Sequence, residues 1–160
     1  MMKSLRLTLL VGFGLLVVAC ATPGPSLTPL EIQSMQTRTY DNDRQVVFAS
    51  VVSVFQDLGY QIDSADLDTG FITSQSPANS VSNWATIFSG VRQVSQTRAT
   101  AFVEQIGDQV SVRLNFLVIN QTSGGYGQSD RQDVPILEPN AYQNAFERIE
   151  NAIFVRAGDA

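Results

Sequence analysis

The chain has no histidine, one cysteine and one lysine among its 160 residues, and each scarcity narrows its chemistry. Histidine is the commonest general base and the commonest transition-metal ligand. Its absence excludes a catalytic serine–histidine pair and a metal site with imidazole ligands. A lone cysteine excludes a disulfide within the chain, and stability must then come from packing. We therefore expect a protein that is not an enzyme and that holds no cofactor or metal ion.

Positive charge is also scarce, and part of it lies at the very start of the chain. Loss of Lys3 and Arg6 would take the formal charge from −5 to −7, because two cations disappear. Nucleic-acid phosphates require clustered cations, and anionic lipid headgroups do so as well. We expect no nucleic-acid partner and no electrostatic docking on lipid.

The first twenty residues have the layout of a secretory signal. Lys3 and Arg6 precede an apolar run from Leu7 to Val18, and the small residue Ala19 and Cys20 follow. The run is too short to cross a hydrocarbon core of about 30 Å comfortably. A plain signal peptide with a chance cysteine and an uncleaved anchor are the alternatives to a processed lipoprotein.

The segment Leu16-Val17-Val18-Ala19-Cys20 resembles the lipobox of bacterial lipoproteins. The resemblance implies that residues 1–19 are a signal peptide and that Cys20 carries diacylglycerol and an acylated amine, such as palmitate. Several acyl chains make membrane anchoring effectively permanent. In that family an Asp after the cysteine retains the protein in the inner membrane. Ala21 stands there instead, which implies the outer membrane with the domain in the periplasm.

The rest of the chain divides into a tether and one domain. Residues 20–36 contain Pro23, Pro25 and Pro29 and predict a lipid-anchored, extended, semi-rigid tether. Residues 37–157 are enough for a single α+β domain. Apolar periodicity and turn residues predict the following elements: a strand over 37–40, a helix over 43–58, a hairpin of strands 60–65 and 71–75, a hairpin of strands 97–106 and 109–119, a loop over 120–135 and a helix over 140–156.

These elements favour an antiparallel sheet of four or five strands with two long amphipathic helices on one face, in the order β-α-β-β-(α)-β-β-α. One face of the last strand carries Val110, Val112, Leu114, Phe116 and Val118. Leu117 and Ile119 break the polar alternation of its other face, so we expect that end to be covered.

Two segments are candidates for contact with other molecules. Residues 77–96 form either a lid or a segment that faces a partner or the membrane, because Trp84 and Phe88 lie on one face of a short amphipathic helix. Tyr126 lies in a glycine-rich stretch that lacks the spacing of a phosphate-binding loop. Trp84, Phe88 and Tyr126 are therefore the predicted partner contacts.

A cluster of carboxylates at Asp63, Asp66 and Asp68 suggests calcium, but the spacing fails. An EF-hand loop that began at Asp66 would need glycine at its sixth position and glutamate at its twelfth. Phe71 and Pro77 occupy those positions, so we interpret the segment as a solvated turn.

Several motifs resemble a recurrent family of mostly uncharacterised proteobacterial lipoproteins. They are Arg38-Thr39-Tyr40, the stretch from Phe55 to Ile62, the stretch from Asp66 to Ile72, and Tyr142-Gln143 with the apolar positions that follow up to Phe154. The resemblance covers about residues 37–156. The helix and two strands at its centre are also similar to the helix-grip domains of the lipoprotein C component of the β-barrel assembly machinery. These are packing and turn motifs, and no catalytic residues come with them.

Two functions of different class remain. The first is a lipid-anchored interaction module, an accessory or structural subunit of an envelope assembly that contacts other envelope proteins. The second is a binding protein for a small apolar or lipid-like ligand. A carrier of that kind needs an interior cavity, lined by residues such as Phe116 and Phe146.

Overall fold

The computed structural model describes residues 27–81, 92–124 and 129–158. These ranges form three helices on an antiparallel sheet of seven strands, which confirms the α+β class and corrects the expected number of strands. The helices are α1 (Pro29–Gln36), α2 (Arg44–Asp57) and α3 (Pro139–Gly158). The strands are β1 (Thr37–Tyr40), β2 (Gln61–Asp66), β3 (Phe71–Gln75), β4 (Asn79–Val81), β5 (Arg92–Ile106), β6 (Gln109–Ser123) and β7 (Ser129–Pro135).

The centre of the sheet is the hairpin of β5 and β6, which turns at Gly107 and Asp108. Each strand has 15 residues and spans about 50 Å, and Gly107 has the positive φ of 61° that a tight turn requires. The half nearest the turn has the strand order β1-β6-β5-β3-β2. In the other half, β4 pairs with β5 and β7 pairs with β6. We call this second half, made of β4, β7, Arg92–Thr97 and Val118–Ser123, the distal sheet.

Helix α2 forms where its caps and its apolar stripe predict it. The Asp43 carboxylate accepts a hydrogen bond from the Gln45 amide at 2.7 Å, which satisfies a free donor at the helix start. The chain leaves the helix through Gly59, whose φ of 84° ends the helical conformation. The predicted C-terminal helix is also confirmed, as α3.

The hydrophobic core lies between the two long helices and one face of the near half of the sheet. Burying such side chains contributes about 1.5–3 kcal/mol each, which makes this layer the main source of stability. Its aromatic centre joins Phe116 to Tyr142 with ring centroids 5.1 Å apart and to Phe55 at 6.4 Å. The fully buried members include Val47, Val51, Phe55, Ile72, Val103, Val110, Val112, Leu114, Tyr142 and Ile149.

Edge strand β1 is joined to α3 through Arg38. Its guanidinium carbon lies 5.0 Å from the centroid of the Phe146 ring, and Nη1 lies 3.7 Å from the Glu150 carboxylate. A cation over an aromatic face is attracted by the ring quadrupole, and the stem of the arginine covers apolar surface. Arg38 thus covers the edge of the core that the short β1 leaves open.

The turn between β2 and β3 is hydrogen-bonded to both α2 and β5 around Gly70. Gly70 accepts a hydrogen bond on its carbonyl from the Val103 amide at 2.9 Å, and its own amide donates to the Asp66 carbonyl at 2.8 Å. Arg44 crosses the same point, donating to the Val103 carbonyl at 3.4 Å and to the Asp68 carbonyl at 3.3 Å. The turn is therefore packed against the sheet as well as solvated.

Three segments differ from expectation. The end of the predicted tether is helical, because Thr28 and Glu31 form a capping box: the Glu31 carboxylate accepts from the Thr28 amide at 2.7 Å, and the Thr28 hydroxyl accepts from the Glu31 amide at 3.3 Å. The predicted loop over 120–135 contains the end of β6 and all of β7. The predicted lid over 77–96 contains β4 and the start of β5, so its ends are strands, and residues 82–91 lie outside the described ranges.

Candidate functional site

All four residues that the sequence singles out lie outside the described ranges: Cys20, Trp84, Phe88 and Tyr126. The lipidation and contact roles given to them therefore stay predictions. The structure does place the strands that flank the two predicted contact segments.

The two predicted contact segments leave the sheet at the same place. Residues 82–91 connect β4 to β5, and residues 125–128 connect β6 to β7. In the distal sheet, Val81 pairs with Gln93, Arg92 pairs with Ser123, and Ser123 pairs with Ser129. Both segments therefore start and finish at one end of the sheet, the end farthest from the Gly107 turn. Sequence reasoning missed this neighbourhood because it depends on the pairing of β4 and β7.

The distal sheet lies beyond the main core. The buried apolar residues of β5 and β6 fall between Ala99 and Phe116, with Ile119 as a separate case. All of β7 is exposed, and Val134 keeps 40 % of its surface accessible. A sheet normally gains its stability by burying one face, but β7 buries neither face among the described residues.

Ile119 shows that part of the distal sheet is nevertheless covered. It is only 4 % exposed although it points to the face opposite the helices, the face that also carries the exposed Arg113. Its partners in register are Gln96 on β5 and Asp133 on β7. The expectation of a covered end at Leu117 and Ile119 is confirmed for Ile119.

The outer face of the near half carries an exposed aromatic pair. Phe71 and Phe102 face each other across β3 and β5, with ring centroids 4.6 Å apart, and Phe71 is 54 % exposed. Ile106, on the same face of β5, is 56 % exposed. Phe71 and Phe102 each stand next to a buried residue, Ile72 and Val103, so strand alternation places both rings on the outer face. That the two rings meet follows only from the register of β3 and β5.

The interior positions expected to line a ligand cavity are filled. Phe116 is 5 % exposed and contacts the rings of Phe55 and Tyr142, and Phe146 is 2 % exposed and has the Arg38 guanidinium over its ring. Among the described residues, grooves of about 390 and 500 Å³ lie instead on the outer side of α2 and α3. The larger one is lined by Ser53, Val54, Asp57, Arg148, Asn151, Ala152, Val155 and Arg156.

The described carboxylates form no cluster of metal-binding size. Within residues 27–81, 92–124 and 129–158, no three Asp, Glu or Cys side chains lie close enough to hold a metal ion. Asp66 has a structural role instead, since its carboxylate accepts hydrogen bonds from the amides of Asp68 at 2.9 Å and Thr69 at 3.3 Å. The hydrogen bonds from Thr69, with that from Asp68, lower the pKa of Asp66.

Buried tyrosines have the opposite shift. Burial raises the pKa of Tyr40 and of Tyr60 above the ordinary value of 10.0, because a phenolate would lose its hydration. The Tyr40 hydroxyl is buried without a hydrogen-bond partner among the described residues. It lies at the edge of the core, on β1.

No described helix is long and apolar enough to cross a membrane. No family matches the chain, and no curated protein matches its sequence. The resemblance to proteobacterial lipoproteins thus stays a prediction.

Proposed function

We propose that the chain is a lipid-anchored interaction module that faces the periplasm, as an accessory or structural subunit of a bacterial envelope assembly. The support for the anchor is the sequence pattern that ends at Cys20. The support for the interaction role is geometric and comes from the domain.

The observation that carries the interaction role is the position of the distal sheet. It extends the β5–β6 hairpin beyond the main core, and the segments with Trp84, Phe88 and Tyr126 both begin and end at its tip. Aromatic side chains are common anchors of protein interfaces. Gathered at one end of a projecting sheet, the two segments would form a single contact surface.

The aromatic pair Phe71 and Phe102 is a second, separate contact candidate. Exposed rings in contact on an open sheet face bury further apolar area when a partner covers them, at about 25 cal/mol per Å². Helices α2 and α3 cover the other face of the near half, and on this face Phe71 keeps 54 % of its surface accessible to a partner.

The anchor is tested by Cys20→Ser in cells, with Ala21→Ser as the matched control one position away. We expect Cys20→Ser to lose incorporation of labelled palmitate and to accumulate as unprocessed precursor, because serine cannot form the thioether. Ala21→Ser should be lipidated and processed. Cleavage and release of Cys20→Ser in the wild-type manner would contradict the lipoprotein proposal.

The interaction role is tested by a photo-crosslinking residue placed singly at Trp84, Tyr126 and Phe71. Phe154, which is 80 % exposed on α3, is the control on the opposite layer. We expect Trp84 and Tyr126 to capture the same envelope protein, because their segments leave the same end of the sheet. Equal capture from Phe154, or no capture from either Trp84 or Tyr126, would refute a partner at this end of the sheet, and no capture from Phe71 would refute the second contact candidate.

A further inference from the structure

Two of the free edges of the sheet, β2 and β7, are built differently. Strand β2 is interrupted by a register shift between Ile62 and Ser64, and its charged residues, Asp63 and Asp66, are both acidic. Bulges and like charges discourage pairing with another strand. Strand β7 pairs with β6 over seven consecutive residues with no shift, and within the described part of the chain its other side is unpaired. It is the more suitable edge for strand addition.

The register of β7 shows which backbone groups point away from β6. The Ile136 amide donates to the Phe116 carbonyl at 2.9 Å, and the next pair is Leu117 with Pro135. Hydrogen-bonded and non-hydrogen-bonded pairs alternate along an antiparallel ladder. The N–H and C=O groups of Arg131 and Asp133 therefore point outward. Pro135, which has no N–H, also stands at an outward position, where the missing donor costs β6 nothing.

The charges of β7 are complementary to those of an identical strand. Arg131 and Asp133 flank Gln132, and in one chain they already form a two-bond ion pair, with Nε–Oδ1 at 2.8 Å and Nη2–Oδ2 at 2.9 Å. An antiparallel copy centred on Gln132 would place Arg131 opposite Asp133 of the second copy, and Asp133 opposite Arg131. A register centred on Arg131 or on Asp133 would oppose like charges.

We propose that β7 pairs with β7 of a second copy, antiparallel about a twofold axis at Gln132, so that two sheets become continuous. In this register the outward backbone groups of Arg131 and Asp133 bond to each other across the axis, and the same residues supply the matched charges. The partner is thus a second copy of this chain. The proposal uses only the domain and is independent of lipid on Cys20.

The axis is tested by a disulfide at Gln132. Directly opposed residues of a non-hydrogen-bonded antiparallel pair have Cα atoms about 4.5 Å apart, within the roughly 4.4–6.8 Å range that a disulfide spans. We expect Gln132→Cys in the full chain to form a covalent dimer on treatment with a mild oxidant. Asp130→Cys lies on the same strand and face but would be about 13 Å from its copy, four residues out of register, and should not crosslink.

Both variants retain Cys20, so any disulfide through that residue would appear equally in the two lanes. Equal dimer yield from Gln132→Cys and Asp130→Cys would overturn the proposal. The same result would leave the anchor and the envelope partner unaffected, since those are tested at other residues.

Charge reversal provides the second test. Asp133→Arg and Arg131→Asp should each weaken self-association on the order of tenfold, because two attractive cross-strand pairs become repulsive. An equal mixture of the two variants should associate as a heterodimer, since one strand is doubly basic and the other doubly acidic. The double variant with both charges exchanged should dimerise as wild type does.

The mixture separates self-pairing from a role within one chain. Both single variants lack the Arg131–Asp133 ion pair, and mixing cannot restore it. Recovery of the dimer in the mixture therefore supports pairing between copies. Monomeric wild type by sedimentation equilibrium, or a mixture no more associated than its components, would refute it.

Discussion

Gly70 is the glycine, among those of positive φ in the described residues, whose replacement by alanine the fold should tolerate least. Gly70 has a φ of 79°, a conformation that side chains rarely adopt, and a Cβ built there would overlap the Val103 carbonyl oxygen and lie 3.0 Å from Nη2 of Arg44. Gly59 has nearly the same backbone conformation, with a φ of 84°, but a Cβ there meets nothing within 4 Å. Alanine at either position would therefore have the same unfavourable φ, but only at Gly70 would its Cβ collide with neighbouring atoms.

The magnitude follows from that difference. A side chain in the left-handed region costs about 1–2 kcal/mol, and replacing glycine recovers about 0.4–1 kcal/mol from the unfolded chain. We therefore expect Gly59→Ala to reduce the free energy of unfolding by roughly 1 kcal/mol. At Gly70 the overlap must also push the turn away from β5. That strains the packing by about 1–3 kcal/mol and weakens the hydrogen bond from Val103, for a total of roughly 3–5 kcal/mol.

Urea unfolding followed by far-ultraviolet circular dichroism measures both variants under one condition. The expected gap between them is at least about 2 kcal/mol, a large part of the roughly 5–15 kcal/mol available to a domain. Equal losses at the two sites would show that the close contact between Gly70 and Val103 does not constrain the fold.

Two further predictions concern buried and turn side chains. Tyr40→Phe should leave the free energy of unfolding unchanged or raise it by up to about 1 kcal/mol, because the buried Tyr40 hydroxyl has no described partner. Tyr142→Phe should lower it by about 1–2 kcal/mol, because the Tyr142 hydroxyl donates to the Ile136 carbonyl at 2.9 Å. In thermal unfolding, a loss at Tyr40 as large as that at Tyr142 would contradict this prediction. The lowered pKa of Asp66 contributes stability above its ordinary value of 3.8, and that contribution is lost as pH falls through the lower native pKa. Asp66→Asn should therefore flatten the acid side of the stability profile, and no flattening relative to the Asp63→Asn control would refute it.

The helices and hairpins were predictable because their signals are local. The valine and phenylalanine spacing of α2, its cap at Asp43 and its stop at Gly59 specify that helix without reference to the rest of the chain. The Gly107 turn likewise specifies the register of β5 and β6. Helix α1 also has a local signal, the Thr28–Glu31 capping box, but Pro23 and Pro25 predict an extended segment just before it.

Strand β7 could not be predicted, for a physical reason. Its sequence, Ser-Asp-Arg-Gln-Asp-Val-Pro, is polar on both faces and has no apolar alternation. It becomes a strand because β6 extends past β1 and leaves backbone groups to be paired, which is a tertiary cause. The sequence also does not specify which residues of β3, β4 and β7 pair with β5 and β6. For that reason it predicts neither the shared end of the two contact segments nor the Phe71–Phe102 pair.

The long hairpin also sets an order in which the domain can fold. Strands β5 and β6 are joined by two residues, so their pairing closes a small loop and costs little chain entropy. Strand β1 pairs with β6, far along the chain, and α3 must return from the C-terminus to cover Phe116. During synthesis from the N-terminus, β1 and α2 therefore lack the strand and the helix that they pack against until β6 and α3 have been made. We expect the Gly107 hairpin to nucleate folding, so the apolar faces of β1 and α2 are open to aggregation until it forms.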